Sequence, residues 1–118
     1  MATFEKRLLS SSGDGIPIRV LATTSPGTAV HTAVSGTTGL DAIYLWANNA
    51  SGTATTLTVE MGNGGAGYQD VAHQVAIPAN NIPVAILVGQ VLNNGQLLKA
   101  YASVTDVIRL TGFVHRIS

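Results

Sequence analysis

The chain contains no cysteine, so neither a disulfide nor a thiolate metal site holds it together, and packing and hydrogen bonding must do so. The redox compartment is left open by the same absence. Charge is scarce as well: Asp, Glu, Lys and Arg make up 10 % of the residues, against roughly 25 % in ordinary soluble domains. A surface so poor in charge is built from Ser, Thr, Asn and Gly, or is partly covered by partners, because the centres of protein contacts are depleted in charged residues. The six basic and six acidic residues cancel, so no positive field draws phosphate, and nucleic acid is not expected as a partner. No apolar run approaches the roughly 20 residues of a membrane helix. The start Met1-Ala2-Thr3-Phe4-Glu5-Lys6-Arg7 carries no long apolar leader, so a soluble product of a cytoplasm, without membrane contact, is expected.

What is present suffices for one core, since 46 % of the 118 residues are hydrophobic and a chain of this size can bury well over half of its unfolded surface. Helix periodicity is almost absent, and two-residue alternation takes its place. Ile16 to Ala22 reads as a short strand whose Pro17 belongs at a strand start or sheet edge. Val30, Thr32 and Val34 alternate with Ala29, His31 and Ala33. In Asp41 to Asn49, Ile43, Leu45 and Ala47 share one side and Tyr44 and Trp46 the other, which places this strand in the interior or at an interface. Asn48-Asn49-Ala50-Ser51-Gly52 then predicts a hairpin into Thr55 to Met61, and Asn93-Asn94-Gly95 a second between Val91-Leu92 and Leu97-Leu98. Val84 to Val88 is continuously apolar, as in a strand covered on both faces. In Val107 to Ile117, Gly112 is the position for a bulge. The total is about seven to nine short strands at spacings of roughly 8–12 residues, which predicts an all-β, single-domain antiparallel β-sandwich of jelly-roll type. Residues 1–15 read as an N-terminal arm or edge strand with a flexible Ser/Gly stretch, and residues 16–118 as the sandwich.

The candidate sites each have a plainer explanation. Gly62, Gly64 and Gly67 match G-x-G-x-x-G, but no helix follows to face a pyrophosphate, so the segment reads as an inter-strand loop and no cofactor is expected. His31, His73 and His115 have no shared spacing and read as surface or interface histidines; no metal is expected. Ser, His and Asp all occur, yet nothing resembles a nucleophile elbow, and the chain is read as having no catalytic site. Asn49-Ala50-Ser51 matches a glycosylation acceptor but is more simply a turn. Tyr44 and Trp46 read as occupants of a core face, with Trp46 alternatively the aromatic anchor of a subunit contact. Phe4, Leu8 and Leu9, in an arm that could order on a partner, complete the candidate interface residues with Tyr44 and Trp46.

The stretch from Pro26-Gly27-Thr28-Ala29-Val30-His31-Thr32-Ala33-Val34-Ser35-Gly36-Thr37 to Asp41-Ala42-Ile43-Tyr44-Leu45-Trp46-Ala47-Asn48-Asn49 resembles small virion proteins of tailed bacteriophages. The ending Leu110-Thr111-Gly112-Phe113-Val114-His115-Arg116-Ile117 looks like the final strand of the same group. The resemblance implies a decoration, or cement, protein made in the host bacterial cytoplasm. Such a protein binds the outside of an assembled capsid and braces neighbouring copies of the major capsid protein, here as a homotrimer or alternatively a dimer. Lambda-type decoration proteins carry a different pattern, so their trimer geometry does not transfer. A head-to-tail, tail or fibre component is the alternative. A carbohydrate-binding β-sandwich with Tyr44, Trp46, Tyr68 and Tyr101 as stacking residues is a further one, weakened by an aromatic content of 5 %.

Overall fold

The structure, a computed structural model, describes residues 3–63 and 67–118; the middle of the Gly62–Gly67 loop, residues 64–66, and Met1-Ala2 lie outside the described residues. Among the described residues nine strands follow in chain order: β1 (Phe4–Arg7), β2 (Ile18–Arg19), β3 (Thr28–Thr32), β4 (Leu40–Asn49), β5 (Thr55–Asn63), β6 (Gly67–Ile77), β7 (Val84–Leu92), β8 (Leu97–Ala102) and β9 (Ile108–Ile117). Among the described residues there is no α-helix, only a single 3₁₀ turn at Gly13–Gly15.

The strands form two antiparallel sheets. One runs β1-β9-β4-β7, with β2 continuing the β1 edge along β9, and the other runs β3-β8-β5-β6. The pairs β2/β9, β3/β8, β4/β7 and β5/β6 are nested, like one long hairpin with β5/β6 at its tip. Rolling that ribbon up brings β4 against β9 and β5 against β8. The result is an eight-position jelly roll in which β1 and β2 share one interrupted edge.

The alternation seen in the sequence places the core. Ile43, Leu45, Leu110 and Val114 of the first sheet face Val30, Leu57, Val59 and Leu98 of the second, all buried. Leu9 and Val20 enter from the connections. On the far side of β5, Thr58 and Glu60 are buried as well, Thr58 accepting the Gln74 amide of β6 at 3.0 Å and Glu60 lying under the β2–β3 loop. There the Glu60 carboxylate accepts hydrogen bonds from Ser25 Oγ and the Gly27 amide, both at 2.7 Å.

Several sequence expectations are corrected. The two predicted hairpins are sheet-to-sheet corners: β4 and β5 lie in different sheets, as do β7 and β8. The Asn94-Gly95 turn does have the positive φ angles the sequence calls for, 56° and 69°. Its amides, however, donate to the carbonyls of Gly36 and Val34, so the turn crosses the sandwich instead of joining paired strands. Val84 to Val88 is not covered on both faces: Leu87 is buried, but Ala85 and Val88 are exposed, Val88 by 74 %, and β7 is in addition an edge strand. Gly112 marks no bulge. The β4–β9 register is unbroken from Leu40↔Ile117 to Asn49↔Ile108, and the bulges of β4 lie on its β7 side. Glycine is needed at 112 because a Cβ there would stand 2.0 Å from the Tyr44 carbonyl oxygen.

Two stability predictions follow from this packing. Gly112→Ala must push β9 away from β4, and overpacking of this kind should cost about 2 kcal/mol or more in urea unfolding. Leu57→Ala, at a fully buried position, should cost roughly 2–5 kcal/mol by cavity formation, with the same fold retained by circular dichroism.

Candidate functional site

Two constructions stand out, one inside the sandwich and one on its surface. The buried one spans both sheets. Asp41 on β4 is fully buried, and opposite it in the ladder Arg116 of β9 donates from Nε to Oδ1 at 2.7 Å and from Nη2 to Oδ2 at 2.9 Å. The Val34 amide donates to Oδ2 at 3.1 Å. His31 of β3, in the other sheet and only 3 % exposed, places Nε2 at 2.8 Å from the same oxygen. Its Nδ1 takes the Ser10 amide at 3.0 Å and lies 2.8 Å from Ser10 Oγ. Because an ionised carboxylate only accepts, Nε2 carries the ring hydrogen and Nδ1 the free lone pair. The sequence reading placed His31 at a surface or interface. A register shift between Ala29 and His31 turns both Val30 and His31 inward, which corrects it.

Ser10, His31 and Asp41 thus stand in the partner order of a hydrolytic triad, and the details give them a different job. A general base needs its lone pair free to take the serine proton, and here Nδ1 already accepts a main-chain N–H. Ser10 Oγ itself accepts the Thr32 amide at 3.1 Å. The Asp41 charge, which in a triad supports an imidazolium, is held by a bidentate guanidinium. The network clamps β3 to β4 and β9 and ties the turn after β1 to both sheets.

Protonation follows from this geometry. Burial pushes the His31 imidazole below its ordinary 6.5, outweighing the hydrogen bond and charge of Asp41, and Arg116 and Arg7 push the same way. For Asp41, burial alone would raise the carboxyl, but the hydrogen bonds from Arg116 and His31 and the Arg116 charge hold it below its ordinary 3.8.

The surface construction is the outer face of the first sheet. The β4–β9 ladder sets Tyr44 beside Phe113 and Ala42 beside His115. The rings of Tyr44 and Phe113 stack at 4.9 Å, with Trp46 6.0 Å from Phe113 and His115 edge-on to Tyr44 at 5.3 Å. Lys6 of β1 lies over Phe113, its Nζ 4.3 Å from the ring centre. Phe4, Tyr44, His115 and Ile117 line a depression of about 440 Å³ at one end. Phe4 and, on β7, Val88 are each 74 % exposed.

The candidate interface residues of the sequence therefore separate. Phe4, Tyr44 and Trp46 share this face, so Tyr44 and Trp46 do not point into the core, which takes Ile43, Leu45 and Ala47 from the same strand. Leu8 is exposed in the turn beyond β1, with a methyl 3.8 Å from where a Cβ on Gly15 would be. Leu9 is 1 % exposed and belongs to the core. Lys6, Phe113 and Val88 were not among the candidates of the sequence, which took His115 as a surface or interface histidine; Phe113 and His115 are in phase on β9, but only the cross-strand register reveals their neighbours. The three histidines occupy three settings: His31 in the clamp, His115 on the aromatic face, and His73 paired with Asp70 at 2.7 Å on the surface. Among the described residues no group of three or more potential metal ligands gathers. Asn49 is fully buried and bonded to Ser51, Thr53 and Ile77, so in the folded chain the Asn49-Ala50-Ser51 sequence is a turn with no free amide to glycosylate.

The clamp generates two expectations. Between the ordinary imidazole value and the lower value of folded His31, the unfolded chain binds the extra proton, so stability falls as pH drops below 6.5. The Asp41 contribution is complete above 3.8 and is lost as pH falls through its lower folded value. Urea midpoints should therefore be flat near neutrality and decline in two acid stages. Asp41→Asn, which leaves Arg116 and His31 without their anion, should cost about 3 kcal/mol or more at neutral pH. Compared with known proteins, the chain matches no family model, no curated protein and no solved structure.

Proposed function

We propose that the protein is a structural component of a tailed-bacteriophage virion, a homo-oligomeric decoration protein that binds the outer surface of the assembled capsid and braces adjacent major capsid subunits. The observation that carries this reading is the aromatic outer face of the first sheet, where Phe4, Tyr44, Trp46, Phe113 and Val88 sit together in a chain with 10 % charged residues. Aromatic anchors clustered on a flat surface are what a protein contact concentrates its energy on. The uncharged edge strand Val-Ala-Ile-Leu-Val-Gly-Gln-Val-Leu of β7 offers further pairing capacity beside it. The jelly roll supports the reading by analogy, being an architecture of capsid and lectin domains. A binder that engages only the assembled lattice stabilises it by mass action, and many weak sites act together.

The stacked Tyr44 and Phe113 rings equally suit a sugar ring, which keeps a carbohydrate-binding role as the second reading. Purified protein added to particles lacking it should bind at hundreds of copies per head and raise the temperature of head disruption. Trp46→Ser should weaken that binding by roughly 30-fold while leaving the far-ultraviolet circular dichroism unchanged. A copy number of a single ring or a few trimers would move the assignment to the neck, tail or fibre. Binding to a glycan array with no affinity for heads would replace it by the carbohydrate reading.

A further inference from the structure

The turn that follows β1 is held to the rest of the molecule at few points. Leu9 is inserted in the core, the Ser11 amide donates to the Val30 carbonyl at 3.2 Å, and Ser10 bonds to His31 and Thr32. The Ser10 hydroxyl can reverse its role at His31, since it also lies 3.4 Å from the Thr32 carbonyl and can send its hydrogen there. The Ser10 amide cannot. Its hydrogen is fixed on the peptide plane and points at Nδ1 from 3.0 Å. A proton on Nδ1 would face that hydrogen directly, leaving the part-buried Ser10 amide without its acceptor and beside a like donor.

We infer that His31 is a proton-operated latch that holds residues Leu8–Ser12 against the sandwich and releases them when Nδ1 is protonated. The groups facing the ring set its direction. Asp41 on β4 occupies Nε2. Its charge is shared with Arg116 on β9. Arg7 on β1, bonded to Glu5 at 2.7 Å, adds a smaller positive influence on the ring. A protonated ring therefore keeps its bond to Asp41 and loses the one to the Ser10 amide. Opening the turn withdraws Leu9 and brings Nδ1 to water, where the imidazolium is solvated. The β4–β9 and β5–β8 ladders persist, because none of their backbone pairs involves His31, which pairs with Leu98 of β8.

Residue-resolved amide exchange on the full chain, normalised to intrinsic rates, tests this between about pH 7.5 and pH 4.5. Protection of the Leu9–Ser12 amides should fall roughly tenfold per pH unit below the ordinary imidazole range, the limit for one linked proton. Protection in β4 and β9 should change far less over the same range. In His31→Gln the local pH response should vanish, and in Ser10→Ala, which keeps the amide, it should persist. Uniform loss of protection across all strands, an unchanged turn in the wild-type chain, or a response that survives in His31→Gln would each overturn the latch. So would its disappearance in Ser10→Ala, which would assign the sensor to the hydroxyl. Should His31→Gln fail to fold, the contrast between the turn and β4 in the wild-type chain decides the matter alone.

Discussion

The ten-residue ladder between β4 and β9 fixes both faces of the larger sheet at once. Because side chains alternate along a strand, one register places Asp41 opposite Arg116 and Ile43 opposite Val114 on the inner face. The same register places Tyr44 opposite Phe113 and Ala42 opposite His115 on the outer face. A slip of one residue would bring the aromatics into the core and the aspartate into solvent. The close approach at Gly112, where no side chain fits against the Tyr44 carbonyl, holds the two backbones at the spacing this register needs.

The inner end of that ladder carries a cost that the clamp offsets. A carboxylate removed from water is destabilising by several kcal/mol unless its oxygens are fully paired. Asp41 meets that condition with the bidentate Arg116, the Val34 amide and neutral His31. An apolar pair of equal volume would hold the sheets together at least as well. What the polar clamp adds is responsiveness, since its farthest member, Ser10, depends on the protonation state of a single imidazole.

The outer face follows the opposite logic. The second sheet has Glu60 covered by the β2–β3 loop, whose backbone runs so close to Ala100 that Gly27 has no room for a Cβ. The first sheet presents stacked rings and exposed valine instead. In a chain with so little charge this asymmetry leaves the apolar exposure on the first sheet, where the proposed role in an assembly places the contact.

Period-two patterning in the sequence was sufficient to determine the all-β class, the approximate positions of the strands and which residues of β4 and β9 share a side, because these depend only on backbone geometry repeated every two residues. It also determined the positive-φ turn at Asn94-Gly95, a local steric matter. Tertiary structure alone decided which strands pair, since β2 meets β9 and β3 meets β8 across most of the chain and no local signal encodes that choice. It turned two apparent hairpins into corners between sheets, sent Leu9 inward and Tyr44 and Trp46 outward, and gathered Ser10, His31, Asp41 and Arg116 from four separate segments. Alternation states that a strand has two sides; only packing against the other sheet states which of them is buried.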